Sequence, residues 1–148
     1  MRLFGWLKIP LLASVHPSVV ELSETRCVVR VPLRRWTRNH LGSMYFGALA
    51  IGADCAGGLL AMDQIKRSGG GVALVFKSFQ ASFLKRPESD VYFICEQGEV
   101  IRAQVQRALA SEERVTAPMT IQASVKTDEG TFEPVADFVL ELSLKRKS

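Results

Sequence analysis

The residues with chemical potential fall in one short stretch, Arg38–Gly57, which reads RNHLGSMYFGALAIGADCAG. Its single acid, Asp54, stands among Ala, Gly, Ile and Cys. Burying a carboxylate without a partner is expensive. Asp54 therefore either bonds a neighbouring backbone group or lysine, or faces a pocket and works there. Burial raises a carboxyl's pKa and makes it a better proton acceptor. Asn39 precedes a Gly42-Ser43 turn, where Asn is also an ordinary turn or capping residue. His40 has no spaced acid or second ligand, which suits a surface or supporting position. Ser78 is a candidate polar partner for a water at Asp54, though equally an ordinary strand residue. Lys77 beside it could reach a phosphate or Asp54.

The chain is 148 residues long, which fits one domain, 1–148, with a sizeable core. At 47% hydrophobic and 23% charged, its composition is that of a globular protein. Lys+Arg number 19 against 15 Asp+Glu, a net +4 that suits an anionic ligand such as a phosphate-bearing cofactor. The excess is too small and too scattered for nucleic acid. Most of it lies in Arg34, Arg35 and Arg38 and in the tail Lys145, Arg146 and Lys147. Asp63 and the pair Glu112 and Glu113 read as solvated surface. Three widely spaced cysteines, Cys27, Cys55 and Cys95, form no CxxC pair. They argue against a disulfide framework and a zinc site, and for reduced, buried thiols in a cytoplasmic protein. Lys8 and Pro10 interrupt the apolar N-terminus, so an amphipathic helix lying on the domain is expected there rather than a signal peptide. No apolar run reaches the ~20 residues of a membrane span, so none is expected.

These residues need elements to position them. Ser43–Lys66 is long, rich in Ala, Gly and Leu and does not alternate, so it should be a helix, capped by Ser43 and stopped by the glycines of Ser68–Gly71. Gly47, Ala50, Gly57, Gly58 and Ala61, with Ala53 just off the line, flank Asp54 at helical spacing. A glycine in a helix costs about 1 kcal/mol relative to Ala. Gly47, Gly52, Gly57 and Gly58 therefore suggest that another backbone or a ligand comes very close. Val115–Val125 and Phe132–Leu144 alternate apolar and polar residues around the turn Thr127–Gly130, an antiparallel hairpin with one wet face. Val72–Leu84 and Asp90–Gln97 read as a second pair joined by Lys85–Ser89. Gly98–Arg114 reads as a short amphipathic helix, and Val20–Leu33 as a first strand ending at Pro32. The expectation is α+β: about five antiparallel strands wrapped around one long helix.

That arrangement resembles the hotdog fold. The pattern N-H-x-G-S-M, then G-A-L and D, followed by "KS" and "FLKRP", resembles an uncharacterised hotdog group allied to phenylacetate-pathway-type acyl-CoA thioesterases. Such enzymes carry an Asn before the central helix, a His-Gly-Gly at its start and an acid nine positions after the His. Asn39, Gly47 and Asp54 match; Tyr45 and Phe46 stand where the family has His and the first glycine. The resemblance implies Asp54 as general base or nucleophile and the Phe46 backbone N–H as donor to the substrate carbonyl. It also implies Asn39 orienting water or carbonyl, and paired sites across a homodimer or a dimer of dimers. The bulk of Phe46 alters the shape of the acyl pocket.

Thioester hydrolysis suits such a residue set. A thiol pKa near 8.5 gives a good leaving group. Free N–H groups in the first helical turn, Tyr45 to Gly47, can meet the oxyanion. Arg34, Arg35, Arg38, Lys85 and Arg86 suit the phosphates of coenzyme A, which enters as part of the substrate; no separate cofactor or metal is implied. The expected partner is an acyl-CoA or acyl-carrier thioester, with no nucleic acid. Two other readings stand beside hydrolysis. A hotdog hydratase or dehydratase would pair a His with an acid, and only His16 and His40 are present. A dimer that binds an acyl thioester without turning it over is favoured by the missing His and by Phe46.

Overall fold

The structure, a computed structural model, describes residues 9–148. Six antiparallel strands form one sheet in the order β1-β2-β4-β5-β6-β3. They are β1 (Ser18–Leu22), β2 (Cys27–Val31), β3 (Val72–Phe83), β4 (Val91–Cys95), β5 (Val115–Lys126) and β6 (Phe132–Arg146). Among the described residues three helices accompany them: α1 (Pro10–Ala13), α2 (Phe46–Arg67) and α3 (Gly98–Leu109). The sheet wraps α2, which packs across β2, β4 and β5, while α3 lies between α2 and β5–β6. Of the expected N-terminal helix, residues 1–8 lie outside the described residues; α1 follows them and buries Leu12.

Six strands replace the expected five because Val20–Leu33 is not one strand. Ser23 N–H donates to the Arg26 carbonyl and the Ser23 hydroxyl accepts from the Arg26 N–H, making a turn that folds β1 onto β2. The β5–β6 hairpin forms as its alternation requires, closed by the Thr127–Gly130 turn. A bulge at Val135 flips the phase of β6, so Val135 and Ala136 are both buried and Phe132 turns outward against Tyr92. β3 and β4 do not pair with each other. β3 runs along β6, whereas β4 inserts between β2 and β5. The connection Lys85–Ser89 is tied to other segments instead: Leu84 and Lys85 donate to the Val135 carbonyl, and Pro87 accepts from Met44. α3 ends at Leu109 rather than near Arg114, with Ile101 and Val105 buried as its amphipathic pattern implies.

α2 starts at Phe46, three residues later than expected. Tyr45 N–H donates to Thr37 and Met44 N–H to Pro87, which holds Met44 and Tyr45 extended, and no side chain caps the helix. Ser43 is buried and its hydroxyl makes no hydrogen bond. At the other end the Ser68, Gly69 and Gly70 N–H groups cover the last carbonyls, as the glycine run implies. By length and hydropathy α2 could cross a membrane, but half of its most apolar window is buried inside the protein. The small residues do not form one stripe around Asp54. Ala53, Ala56, Gly57 and Ala61 are buried, with Gly57 close to Met119 and Ile121; Gly52 lies under the Phe93 ring. What approaches these glycines is therefore the side chains of the sheet. Ala50 and Gly58 border Asp54.

Two glycines should consequently respond in opposite ways to one methyl group. A Cβ at Gly52 would run into the ring of Phe93, itself fully buried. Gly52→Ala should destabilise the protein by about 1–3 kcal/mol despite its better helix propensity. A Cβ at Gly58 meets nothing nearer than 3.7 Å, so Gly58→Ala should stabilise it by up to about 1 kcal/mol. Urea unfolding of both variants checks the pair, and a shared sign would refute the packing described.

Candidate active site

Two of the hollows that border α2 and β3 hold candidate residues. The first lies at the start of α2 and encloses about 530 Å³. Its walls include Asn39, His40, Ser43, Tyr45 and Phe46 on one side and Phe83, Lys85 and Arg86 on the other. The second, about 330 Å³, is lined by Ala50, Ile51, Asp54, Phe76, Phe79 and Leu140. About 12 Å of helix separates Phe46 from Asp54 at 1.5 Å per residue.

At the helix start the N–H groups of Phe46, Gly47 and Ala48 make no hydrogen bond among the described residues. They form a donor set at the positive end of the helix dipole, suited to an anion or a developing oxyanion. The Tyr45 ring lies against Gly47, and the Tyr45 and Phe46 rings sit 4.8 Å apart. Phe46 is 60% exposed, so its side chain stands at the mouth of the hollow. Asn39 shapes the loop before the helix, since its Oδ1 accepts from Leu41 at 2.9 Å and from Ser43 at 3.1 Å. Those bonds fix the wall of the hollow and leave the side-chain amide group uncommitted. Lys85 pairs with Glu133 at 2.6 Å, and Arg86 lies 3.7 Å from Glu88, so a phosphate arriving here would compete with two acids.

Asp54 is half-buried, and its carboxylate makes no hydrogen bond or ion pair among the described residues. Burial in the apolar hollow pushes its pKa above the usual carboxylate value. The bond to a neighbouring backbone group or lysine weighed for Asp54 is not made. The thiols are poor alternative nucleophiles. Burial pushes Cys27 and Cys55 up to about 12 and Cys95 to about 11, which keeps all three protonated at neutral pH.

Asn39, Tyr45, Phe46, Lys85 and Arg86 thus share one hollow, and Asp54 occupies the next. Lys77, Ser78 and Arg38 line neither. The reason for Ser78 is a bulge. Phe76 pairs with Leu142 and Ser78 with Glu141, so Lys77 is an extra residue and the phase of β3 reverses there. Simple alternation puts Ser78 on the helix side with Leu74 and Phe76. The bulge puts Phe79 there instead, opposite Leu140, and Ser78 on the outer face with Glu141. Arg38 is bridged to Met44 through its backbone and its side chain is exposed; Arg34 and Arg35 likewise stay outside the hollows. Sequence reasoning did not single out Phe76, Phe79 or Leu140. The alternation of β6 implied an inward Leu140, but the bulge hid Phe79.

Residues 2–141 match the family model described as a domain of unknown function, DUF4442. No match is found among curated proteins. Among solved structures the chain is similar to a protein of unknown function from Pseudomonas aeruginosa described as a probable thioesterase. Identity is 22% and the TM-score 0.80, over 98% of this chain and 93% of that one. It is similar to a protein of unknown function from Chlorobaculum tepidum, at 12% identity and TM-score 0.84 over 99% and 92% of the two chains. A third is a thioesterase family protein from Silicibacter pomeroyi, at 16% identity and TM-score 0.71 over 96% and 93%. At these identities the likeness is one of fold. With a long helix wrapped by an antiparallel sheet and with 2–141 fitting the family model, the chain belongs to the DUF4442 family and has the hotdog fold.

Proposed function

We propose that this protein hydrolyses an acyl thioester, with Asp54 as general base for water or as nucleophile. The observation that carries the reading is the Asp54 carboxylate, half-buried in an apolar hollow with no partner among the described residues. A folded protein has little reason to keep such a group unless it works. The free N–H groups at the start of α2 supply the oxyanion donors, and Asn39 offers its amide group beside them. Lys85 and Arg86 suit the phosphates of a coenzyme A or acyl-carrier thioester. The fold shared with a probable thioesterase and a thioesterase family protein agrees with this chemistry. The free, buried cysteines fit a reducing, cytoplasmic setting.

Within one chain the donors and Asp54 lie too far apart to act on one carbonyl. A homodimer resolves this. β3 is a 12-residue strand at the edge of the sheet, with β6 on one side only. Phe79 and Phe83, on its helix side, are 46% and 54% exposed. Phe79 borders the Asp54 hollow and Phe83 the helix-start hollow. An edge of that length and apolarity invites pairing with another strand. Two copies joined along β3 would set the Asp54 of one protomer toward the helix start of its partner. The reading as a binding module without turnover is favoured by the same separation, and by Phe46 at the mouth of the donor set.

Light scattering should give twice the 16.4 kDa chain mass, and a fully active monomer would refute the shared site. Thiol release from a panel of short, long and aryl acyl-CoAs should be detectable, and Asp54→Asn should lower it by about 10²–10⁴-fold without unfolding the protein. Acyl-CoA binding with no release across the panel would favour the binding module. Activity should fall as pH drops through the raised pKa of Asp54, because the base must be ionised. Stability should move the other way. Above that pKa the charged carboxylate is held in apolar surroundings at a cost, and the cost is relieved as pH falls toward the ordinary carboxylate range. Asp54→Asn should therefore raise Tm at neutral pH, by an amount that vanishes at acid pH; a lowered Tm would mean that the carboxylate is structural.

A further inference from the structure

The arginines that the two hollows leave unused sit on the loop Leu33–Leu41. Arg34, Arg35 and Arg38 are exposed and make no ion pair among the described residues. Between them Trp36 is 64% exposed, and Leu41 at the far end of the loop is 59% exposed. A largely exposed indole on the same loop as three exposed arginines needs an explanation that scattered surface residues do not.

The loop is firmly built. Thr37 is buried; its hydroxyl donates to the Pro32 carbonyl at 2.8 Å and accepts from Arg34 N–H at 2.8 Å. Asp90 accepts from Leu33 N–H at 2.8 Å and lies 3.8 Å from Arg30, so this acid at the base of the loop is occupied. Asn39 ties down Leu41 and Ser43. The His16 ring packs 5.8 Å from Trp36, from a residue in the left-handed region at φ 53°. The exposed apolar side chains are thus displayed by a rigid frame, with little left to order on binding.

We propose that this loop docks on an anionic lipid bilayer, Trp36 and Leu41 entering the interface and Arg34, Arg35 and Arg38 meeting the lipid phosphates. Indole rings settle at the headgroup level, and guanidinium groups pair with phosphate oxygens. Basic residues near an anionic membrane each add to binding while the charge stays within a Debye length of it. A bilayer accounts for the apolar and the charged residues together. Nucleic acid would use the arginines and leave Leu41 in water. The loop also carries Asn39 and His40 of the helix-start hollow, so docking would turn that hollow's mouth toward the membrane.

The test is sedimentation of the full chain with vesicles of phosphatidylcholine alone and of phosphatidylcholine mixed with phosphatidylglycerol, over a range of salt. The protein should sediment with the anionic vesicles only and should be released as salt rises. Replacing Arg34, Arg35 and Arg38 together by Gln should weaken binding by roughly fivefold per residue, on the order of a hundredfold in all. The corresponding Lys replacements should retain most of it. Trp36→Ala should weaken binding without removing its salt dependence. Thermal unfolding of each variant checks that the fold is kept. Equal binding to neutral vesicles, no binding to anionic ones, or a triple Gln variant that binds like the wild type would each overturn the proposal. So would tighter binding to RNA than to anionic vesicles at the same salt.

Discussion

The closeness of the sheet to α2 sets the rest of the structure. Gly52 admits the Phe93 ring, and Gly57 admits Met119 and Ile121, so one side of the helix is filled by the side chains of β4 and β5. Larger residues there would push the sheet away and open a gap where the interior is otherwise close-packed. The helix gives up intrinsic propensity in exchange for that contact. Once that side is committed to the sheet, the side of α2 that carries Asp54 faces Phe76 and Phe79 of β3 and Leu140 of β6. The half-buried position of Asp54 follows from this division.

That division also explains the electrostatics. A carboxylate facing β2, β4 or β5 would be sealed in a core of Phe93, Leu60 and Met119 and would have to be neutral or paired. A carboxylate on a fully solvated helix would have an ordinary pKa. Asp54 lies between these limits, desolvated enough to shift and accessible enough to meet a ligand. The buried thiols show the other extreme: Cys27 faces Cys95 across β2 and β4, and both are held protonated by burial.

Much of this was legible in the sequence. The lack of alternation across Ser43–Lys66 identified the helix, the period-two runs at Val115–Val125 and Phe132–Leu144 identified the hairpin, and an acid among small residues identified Asp54. What escaped was non-local or depended on a single extra residue. Nothing local says that Val72–Phe83 pairs with β6 rather than β4, since register belongs to both strands at once. The helix start moved from Ser43 to Phe46 because Thr37, in the preceding loop, and Pro87, distant in sequence, claim the N–H groups of Tyr45 and Met44. The bulges at Lys77 and Val135 each reverse a strand's phase, which a pattern of alternation cannot register. One of them exchanged Ser78 for Phe79 at the Asp54 hollow.

The bulge at Lys77 makes β3 two half-strands in opposite phase. Leu74 and Phe76 serve the far end of the helix with even-numbered residues; Phe79, Ala81 and Phe83 serve its start with odd-numbered ones. The two ends of the helix are therefore lined from one strand by independent sets of side chains, with a hinge of phase between them. A family built on this plan can vary one set without disturbing the alternation of the other. The Asp54 hollow straddles that junction, taking Phe76 from one set and Phe79 from the other.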